Sequence, residues 1–400
     1  VSEGPLSGIT ILDLSRVLAG PYCTMLAADM GARVIKIEHP VRGDDTRAWG
    51  PPFVEGESAY YLSVNRNKES VALDFKQPDG RAVLDRLLAR ADVVVENFRT
   101  GSLDAIGLDY ETVSERHPTL IYVSISGFGR TGPRRDEAGY DAVAQAESGL
   151  MSITGAPDGP AVRLGVAVAD LASGMYAFQG MLGAIIARGR TGRGQLVDVS
   201  LLDVTTSLLT YQAQRFFTTG TAPTRAGNRH PSIAPYDAFP ASDGVLILAI
   251  GSDALWQDFC RAAGLNDLAA DSTLATNAGR VRAYATLRPR LEAVIAGRTR
   301  DEWIRILRAA GVPCGAVRDI AEALGDPQIA ARDMVTPVSH PTIGTLNLLG
   351  TPVKLSDTPN TIRTAPPLLG EHTRAVLRQD AGMDDAAIER LAAAGVVKAS

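Results

Sequence analysis

Short β-branched runs alternate with longer segments of helical period through the first half of the chain. That alternation is the mark of strand–helix–strand units. Ile9 to Leu14 (ITILDL) reads as a strand. Gly20-Pro21 opens a helix to about Asp29, with Pro at a first-turn position and Gly31 as the stop. Arg33 to Glu38 (RVIKIE) is the second strand and Val71 to Phe75 the third. Pro78 to Ala91 has Val83, Leu84, Leu87 and Leu88 on one side, as an amphipathic helix does. Val93 to Val95 is the fourth strand, short helices follow around Asp104 and Glu111, and Leu120 to Ser124 is the fifth strand. The pattern predicts an α/β fold with a doubly wound parallel sheet, whose ligands bind outside the carboxyl ends of the strands.

The pattern changes at the stretch 165–189. Leu171 to Ala187 is apolar and small on nearly every face, which predicts a helix buried all round, with Gly189 as its stop. Asp170 stands just before the run. It reads either as a plain N-cap or as a fixed, ionised carboxylate nucleophile or base, since a cap position and the helix dipole favour the charged form. Ala167, Ala169, Ala172, Ser173 and Gly174 leave room for a substrate to approach it. Tyr140 to Met151 reads as a helix before it, with a Gly/Pro-rich loop at 154–165. Leu196 to Ser200 (strand) and Leu201 to Phe217 (one helix) follow. After a break at 218–235 the pattern restarts, with a strand at Val245–Ile250 and helices from Asp253 and near Leu287 and Trp303. Val312–Val317 then closes a second, smaller domain. Residues 336–359 read as extended and proline-rich, and Asp384 to about Ala394 as a last helix.

Composition narrows the function. The 400 residues carry a net charge of −5, so a nucleic-acid partner is not implied. No apolar stretch reaches the length of a membrane span, and no signal-peptide pattern opens the sequence. Three scattered cysteines fit a reducing compartment, and the expected location is the cytoplasm. No CxxC or HxxxH spacing calls for a metal, and no redox cofactor is expected. The first βα turn reads SRVLAGP in place of GxGxxG, which disfavours a nicotinamide dinucleotide despite Glu38 at the end of the second strand. The polar stretch 39–68 is too long for a plain connector and reads as a functional loop. Basic, amide and aromatic residues at the strand ends (Arg16, His39, Lys76, Asn97, Phe98, Arg99) suit an anionic ligand with a flat ring system.

Seven separated segments together resemble the class III coenzyme A transferases, the superfamily of formyl-CoA, carnitine and bile-acid CoA-transferases and α-methylacyl-CoA racemases. They are GITILDLSRVLAGP (8–21), GARVIKIEHPVRGDDTR (31–47), NRNKESVALDFK (65–76), ADVVVENFRTGSLD (91–104), GYDAVAQAESG (139–149), TGRGQLVDVSLLD (191–203) and PPLLGEHT (366–373). The resemblance implies a large Rossmann-like domain from both chain ends, about 1–200 and 330–400, a linker at 201–224, a small α/β domain at 225–325, and an interlocked homodimer. It implies that Asp170 is the nucleophile, attacking an acyl-CoA thioester and passing through an anhydride to an aspartyl-CoA thioester. CoA is then substrate and not a resident cofactor. The implied CoA contacts are Leu18, Ala19, His39, Leu73, Phe75, Lys76, Asn97, Phe98, Arg99 and Tyr140. Ala105 and Ala138 stand where some relatives carry phosphate-binding Arg and Lys, so Arg99, Arg134 or Arg135 is expected to substitute.

Two departures bear on the reaction. Racemases of this superfamily pair the aspartate with a His in a GHD segment, and here the segment is Gly139-Tyr140-Asp141. Without that His, two-base proton exchange lacks a carrier. The glycine-rich lid of formyl-CoA transferases is replaced by Ala226-Gly227-Asn228-Arg229-His230-Pro231. Gly227, Asn228, Arg229 and His230 are therefore the expected acceptor-binding residues, for a small dicarboxylate with succinyl-CoA as donor. The alternatives are a racemase, a formyl-CoA, carnitine or bile-acid transferase, and a scaffold without turnover, which the presence of Asp170 disfavours.

Overall fold

The computed structural model describes residues 4–399. Its strands are β1 (Thr10–Asp13), β2 (Arg33–Glu38), β3 (Phe53–Val54), β4 (Glu57–Ser58), β5 (Lys68–Leu73), β6 (Val93–Glu96), β7 (Ile121–Ser126), β8 (Leu196–Ser200), β9 (Tyr236–Ala241), β10 (Gly244–Ala249), β11 (Cys314–Ala316), β12 (Val335–His340), β13 (Gly344–Leu349) and β14 (Val397–Lys398). The main sheet has the order β14-β5-β2-β1-β6-β7-β8. All its pairs are parallel except the edge pair β14–β5. The chain steps outward from β1 through β2 to β5, then returns to the other side of β1 for β6, β7 and β8. The order reverses between β1 and β6, and a crevice opens at such a switch point.

Both faces of this sheet are buried, and successive residues point to opposite sides. Leu12, Ile35, Val71, Val94 and Tyr122 belong to one core, packed with the Pro78–Leu88, Thr373–Gln379 and Asp385–Ala393 helices. Ile11, Val34, Val93, Val95 and Val123 belong to the other, with residues of the Ala19–Asp29 and Val168–Thr191 helices. The C-terminal helices thus complete the layer on one face of the sheet.

The chain divides into two compact units. One holds the described residues up to Leu150, then Arg163–Gln214 and the chain from Pro327. The other holds Met151–Val162 and Arg215–Asp326. The second unit has its own antiparallel sheet, β11-β10-β9, over a core that includes Phe239, Leu246, Trp256, Phe259, Leu291 and Trp303.

Several local expectations change. Helix Leu201–Phe217 is two helices, Leu201–Ser207 and Thr210–Thr219, with Thr210, the first residue of the second, at a left-handed φ of 39°. The third strand begins earlier, at Lys68, and ends at Leu73, so Phe75 lies beyond it. The extended stretch after Val335 folds back as the β12–β13 hairpin. The long helix is not buried all round. Met175, Tyr176 and Ile186 are 49%, 44% and 66% exposed in the single chain. No helix among the described residues is long and apolar enough to cross a membrane.

Candidate active site at the strand switch point

A cleft of about 820 Å³ opens over the carboxyl ends of β1, β6 and β7. A second cavity of about 350 Å³ adjoins it over β2 and β5, and the two share Arg16, Arg42, Asp45 and Phe98 as walls. The loops that line them are tied across the switch point. The Arg16 amide donates to Asn97 Oδ1 (2.8 Å), and Asn97 Nδ2 donates to the Arg16 carbonyl (2.7 Å).

A buried charge cluster fixes the next turn. Lys36, fully buried, pairs with Asp44 at 2.9 Å and donates to the Ser15 carbonyl at 2.9 Å. Asp44 accepts from the amide and hydroxyl of Thr46 and from the amide of Val17. Burial would raise the Asp44 pKa, but Lys36 and Thr46 outweigh it and hold the carboxyl well below the usual range. Val17 sits at φ 69°, a rare conformation for a β-branched residue, between these supports and the start of the Ala19–Asp29 helix. That helix passes so close to the Val168–Thr191 helix that a Cβ at Gly174 would lie 2.7 Å from the Ala19 carbonyl oxygen. Only glycine fits there without displacing one helix. On the opposite wall, Gly127 and Gly139 cross in the same way, each blocking a Cβ on the other.

Asp170 lines the large cleft. It is not the N-cap expected from the sequence. Ala167 is the cap residue, and Asp170 is the third residue of the helix. The capping contact comes from elsewhere: Asp141 Oδ1 accepts the Ala169 amide at 2.8 Å, and its other oxygen accepts from Gln145 Nε2 at 2.7 Å. Among the described residues nothing hydrogen-bonds the Asp170 carboxylate. Burial first, and the Asp141 charge second, push its pKa to about 7. The expectation that a cap holds Asp170 ionised is therefore reversed: the cap is another residue, and its negative charge opposes ionisation.

The other expected residues fall as follows. Leu18, Ala19, Asn97, Phe98, Arg99 and Tyr140 line the cleft with Asp170, and Tyr140 is 71% exposed. His39, Leu73, Phe75, Lys76 and Phe98 line the smaller cavity. His39 Nδ1 accepts the amides of Val41 and Arg42, so its proton sits on Nε2. Gly227, Asn228, Arg229 and His230 lie in the second unit. There Arg229 stacks over Tyr284 with its guanidinium carbon 4.5 Å from the ring centre, and the Gly227 amide donates to the Gly155 carbonyl.

Arg134 is not a free phosphate ligand. It is held by Glu137 and Glu147 and lies over the Phe128 ring. Arg99 donates its Nε to the Asp136 carbonyl at 2.6 Å. Two cations at the cavities are open: Arg42, which lines both, and Lys76, which lines the smaller one, neither with a side-chain hydrogen bond or ion pair among the described residues. Arg42 lies in the polar 39–68 stretch, where the sequence assigned it no role. Asp141 and Trp49 were likewise unassigned. Asp141 stood in the GYD segment, and Trp49 stands in the 39–68 stretch with Phe53, Tyr60 and Tyr61. Among the described residues no cluster of three or more His, Cys, Asp or Glu could hold a metal.

The model of CoA-transferase family III matches residues 6–373. Succinyl-CoA:glutarate CoA-transferase of Homo sapiens is 42% identical over 393 residues, covering 98% of this chain and 90% of that protein. Succinate–glutarate CoA-transferase of Agrobacterium fabrum (strain C58 / ATCC 33970) is 43% identical over 381 residues, covering 94% of this chain and 95% of the other. The crystal structure of a CAIB/BAIF family protein from Brucella suis superposes with a TM-score of 0.84 at 42% identity, over 94% of this chain and 98% of that one.

Proposed function

This chain belongs to CoA-transferase family III and is a CoA-transferase, and on that premise we propose that it moves CoA from succinyl-CoA to a small dicarboxylate through Asp170. The observation that carries the reading is the Asp170 carboxylate on the wall of the switch-point cleft, with no hydrogen bond among the described residues. The two dicarboxylate transferases at 42% and 43% identity support the donor and acceptor class.

The chemistry balances with no further reagent. An Asp170 oxygen attacks the thioester carbonyl, the C–S bond breaks, and the leaving pair becomes the CoA thiolate. The thiolate attacks the aspartyl carbonyl of the anhydride, and succinate leaves. The acceptor carboxylate then attacks the aspartyl-CoA thioester, and the freed thiolate attacks the acceptor acyl carbon to release Asp170. Each intermediate is prone to hydrolysis, so the carboxylate must work in a site that excludes water. The burial that raises the Asp170 pKa serves that end.

In this reading the thioester lies by Leu18, Ala19 and Phe98, and the nucleotide end reaches the smaller cavity. There His39 Nε2–H, Arg42 and Lys76 supply donors for phosphate oxygens. A racemase would need a second proton carrier facing Asp170, and among the described residues no histidine lines the large cleft. The test is incubation with succinyl-CoA and a panel of acids, read by mass spectrometry of the CoA products. Glutaryl-, itaconyl- or mesaconyl-CoA is the expected product. Transfer only to formate, oxalate, carnitine or a bile acid would remove the dicarboxylate assignment, and loss of α-hydrogen label without transfer would favour the racemase.

The reading includes a homodimer. Met175 and Ile186 are eleven residues apart, three helical turns, and so share one face of the Val168–Thr191 helix with Tyr176 beside it. Their exposure on a helix whose other face is built into the core supports a second copy of this chain as the cover. Light scattering should give twice the 42.2 kDa chain mass. A Met175→Glu, Ile186→Glu double variant should shift toward one chain mass, and an unchanged dimer would place the interface elsewhere.

A further inference from the structure

Beneath the rim that follows β6 lies a buried carboxylate that lines neither cavity and that the transfer chemistry does not use. Glu96 ends β6, is 2% exposed, and stands opposite Ser124 of β7. Its Oε2 accepts the Phe98 amide at 2.8 Å, and its Oε1 lies 3.9 Å from an Arg130 guanidinium nitrogen. The three residues after it each tie down a different part of the rim. Asn97 locks onto the Arg16 backbone. Phe98 meets Phe75 edge-on at 6.4 Å and carries Arg16 over its face at 5.1 Å. Arg99 holds the Asp136 carbonyl. The Phe98 ring is a wall of both cavities.

We propose that Glu96 is a positioning residue for the acyl-CoA: its carboxylate fixes the Phe98 peptide and so holds the Phe98 ring where the two cavities meet. The inference rests on the reading that CoA occupies those cavities. Packing alone does not account for a charge here, since an amide would accept the same N–H without the cost of burying an ion. The groups facing Glu96 are Arg130 and the Ser124 hydroxyl, which favour its ionised form, and Asp104, which opposes it. Tyr122 of β7 is a further titratable neighbour. Burial dominates and pushes the carboxyl to about 7. Near neutrality it therefore titrates, and protonation weakens both its hold on the Phe98 amide and its attraction to Arg130.

The test separates binding from chemistry. Glu96→Ala should raise KM for succinyl-CoA about tenfold, the worth of one well-placed charged hydrogen bond, with kcat within about twofold of the parent. Glu96→Gln keeps an acceptor for the Phe98 amide and should restore KM to within about threefold at pH 8. CoA binding by calorimetry on an Asp170→Ala background, where that titration is absent, should weaken from pH 8 to pH 6 more steeply with Glu96 in place than with the Glu96→Gln substitution added. Phe98→Ala serves as the control. If it raises KM while the Glu96 variants leave KM unchanged, the inference about Glu96 fails and the CoA reading stands. If Phe98→Ala leaves KM unchanged, the CoA reading itself fails. Equal falls in kcat and thermal stability in Glu96→Ala, with no rescue by Glu96→Gln, would reduce Glu96 to a structural role. Identical pH slopes with and without the Glu96→Gln substitution would likewise overturn the proposal.

Discussion

Asp170→Ala protein is expected to bind succinyl-CoA within about threefold of the parent affinity and to transfer CoA at least about 10⁴-fold more slowly. The proposed CoA-binding surfaces lie on other elements: the loops after β1, β2, β5, β6 and β7 supply the cavity walls. The chemistry has no substitute. Asp141, the nearby carboxylate, already uses both oxygens on the Ala169 amide and Gln145. Asp170→Asn tests the same point with the shape kept, because a carboxamide forms no anhydride with an acyl group. Incubation of the parent enzyme with succinyl-CoA, digestion and mass spectrometry should reveal an adduct on the peptide that bears Asp170. Turnover by the alanine variant within about tenfold of the parent would sink the covalent reading.

How far the sequence disclosed this site depends on the range of the contacts. Val93–Val95 and Ile35–Ile37 announce buried parallel strands through their own side chains, so the sheet was legible. So was the rim, because Asn97 and Phe98 directly follow β6. Asp170 was visible from its run of small neighbours. What supports it was not. The helix cap comes from Asp141, 28 residues earlier than the amide it binds. A window that ends at the helix start assigns that role to the nearest acid, which is Asp170. Lys36 lies within the RVIKIE run without a mark of its own, yet it is fully buried against Asp44, and no local pattern reveals an ion pair formed by folding. The exposed face of the long helix was hidden for another reason. Apolar residues left at the surface of the chain look the same in sequence as those packed inside it. The edge strand β14 has two residues, too few for any period.

The acid limb of the pH profile should place the titration of Asp170 in the free enzyme. In the proposed reaction Asp170 must be ionised to attack, and burial with the Asp141 charge raises its pKa to about 7. With Glu96 replaced by Gln, which removes its own titration near 7, kcat/KM for succinyl-CoA should therefore be flat above that pH and fall about tenfold per pH unit below it. Asp141→Asn removes the repelling charge and keeps an oxygen for the Ala169 amide. The limb should then move toward acid, but only part of the way back to 3.8, because burial is the larger cause. The same shift has a sign in stability. A carboxyl raised in the folded state is protonated in both states below pH 3.8, so it contributes no penalty there. The penalty grows between 3.8 and about 7 and is complete above, at about 2–4 kcal/mol. Asp170→Asn should thus melt several degrees above the parent at pH 8 and level with it at pH 4. A variant no more stable than the parent at pH 8, together with an acid limb near pH 4 in the Glu96→Gln protein, would mean that Asp170 is well solvated and ionised throughout. The cleft would then give its nucleophile no protection from water, and the long-lived anhydride that the transfer requires would have no shelter in it.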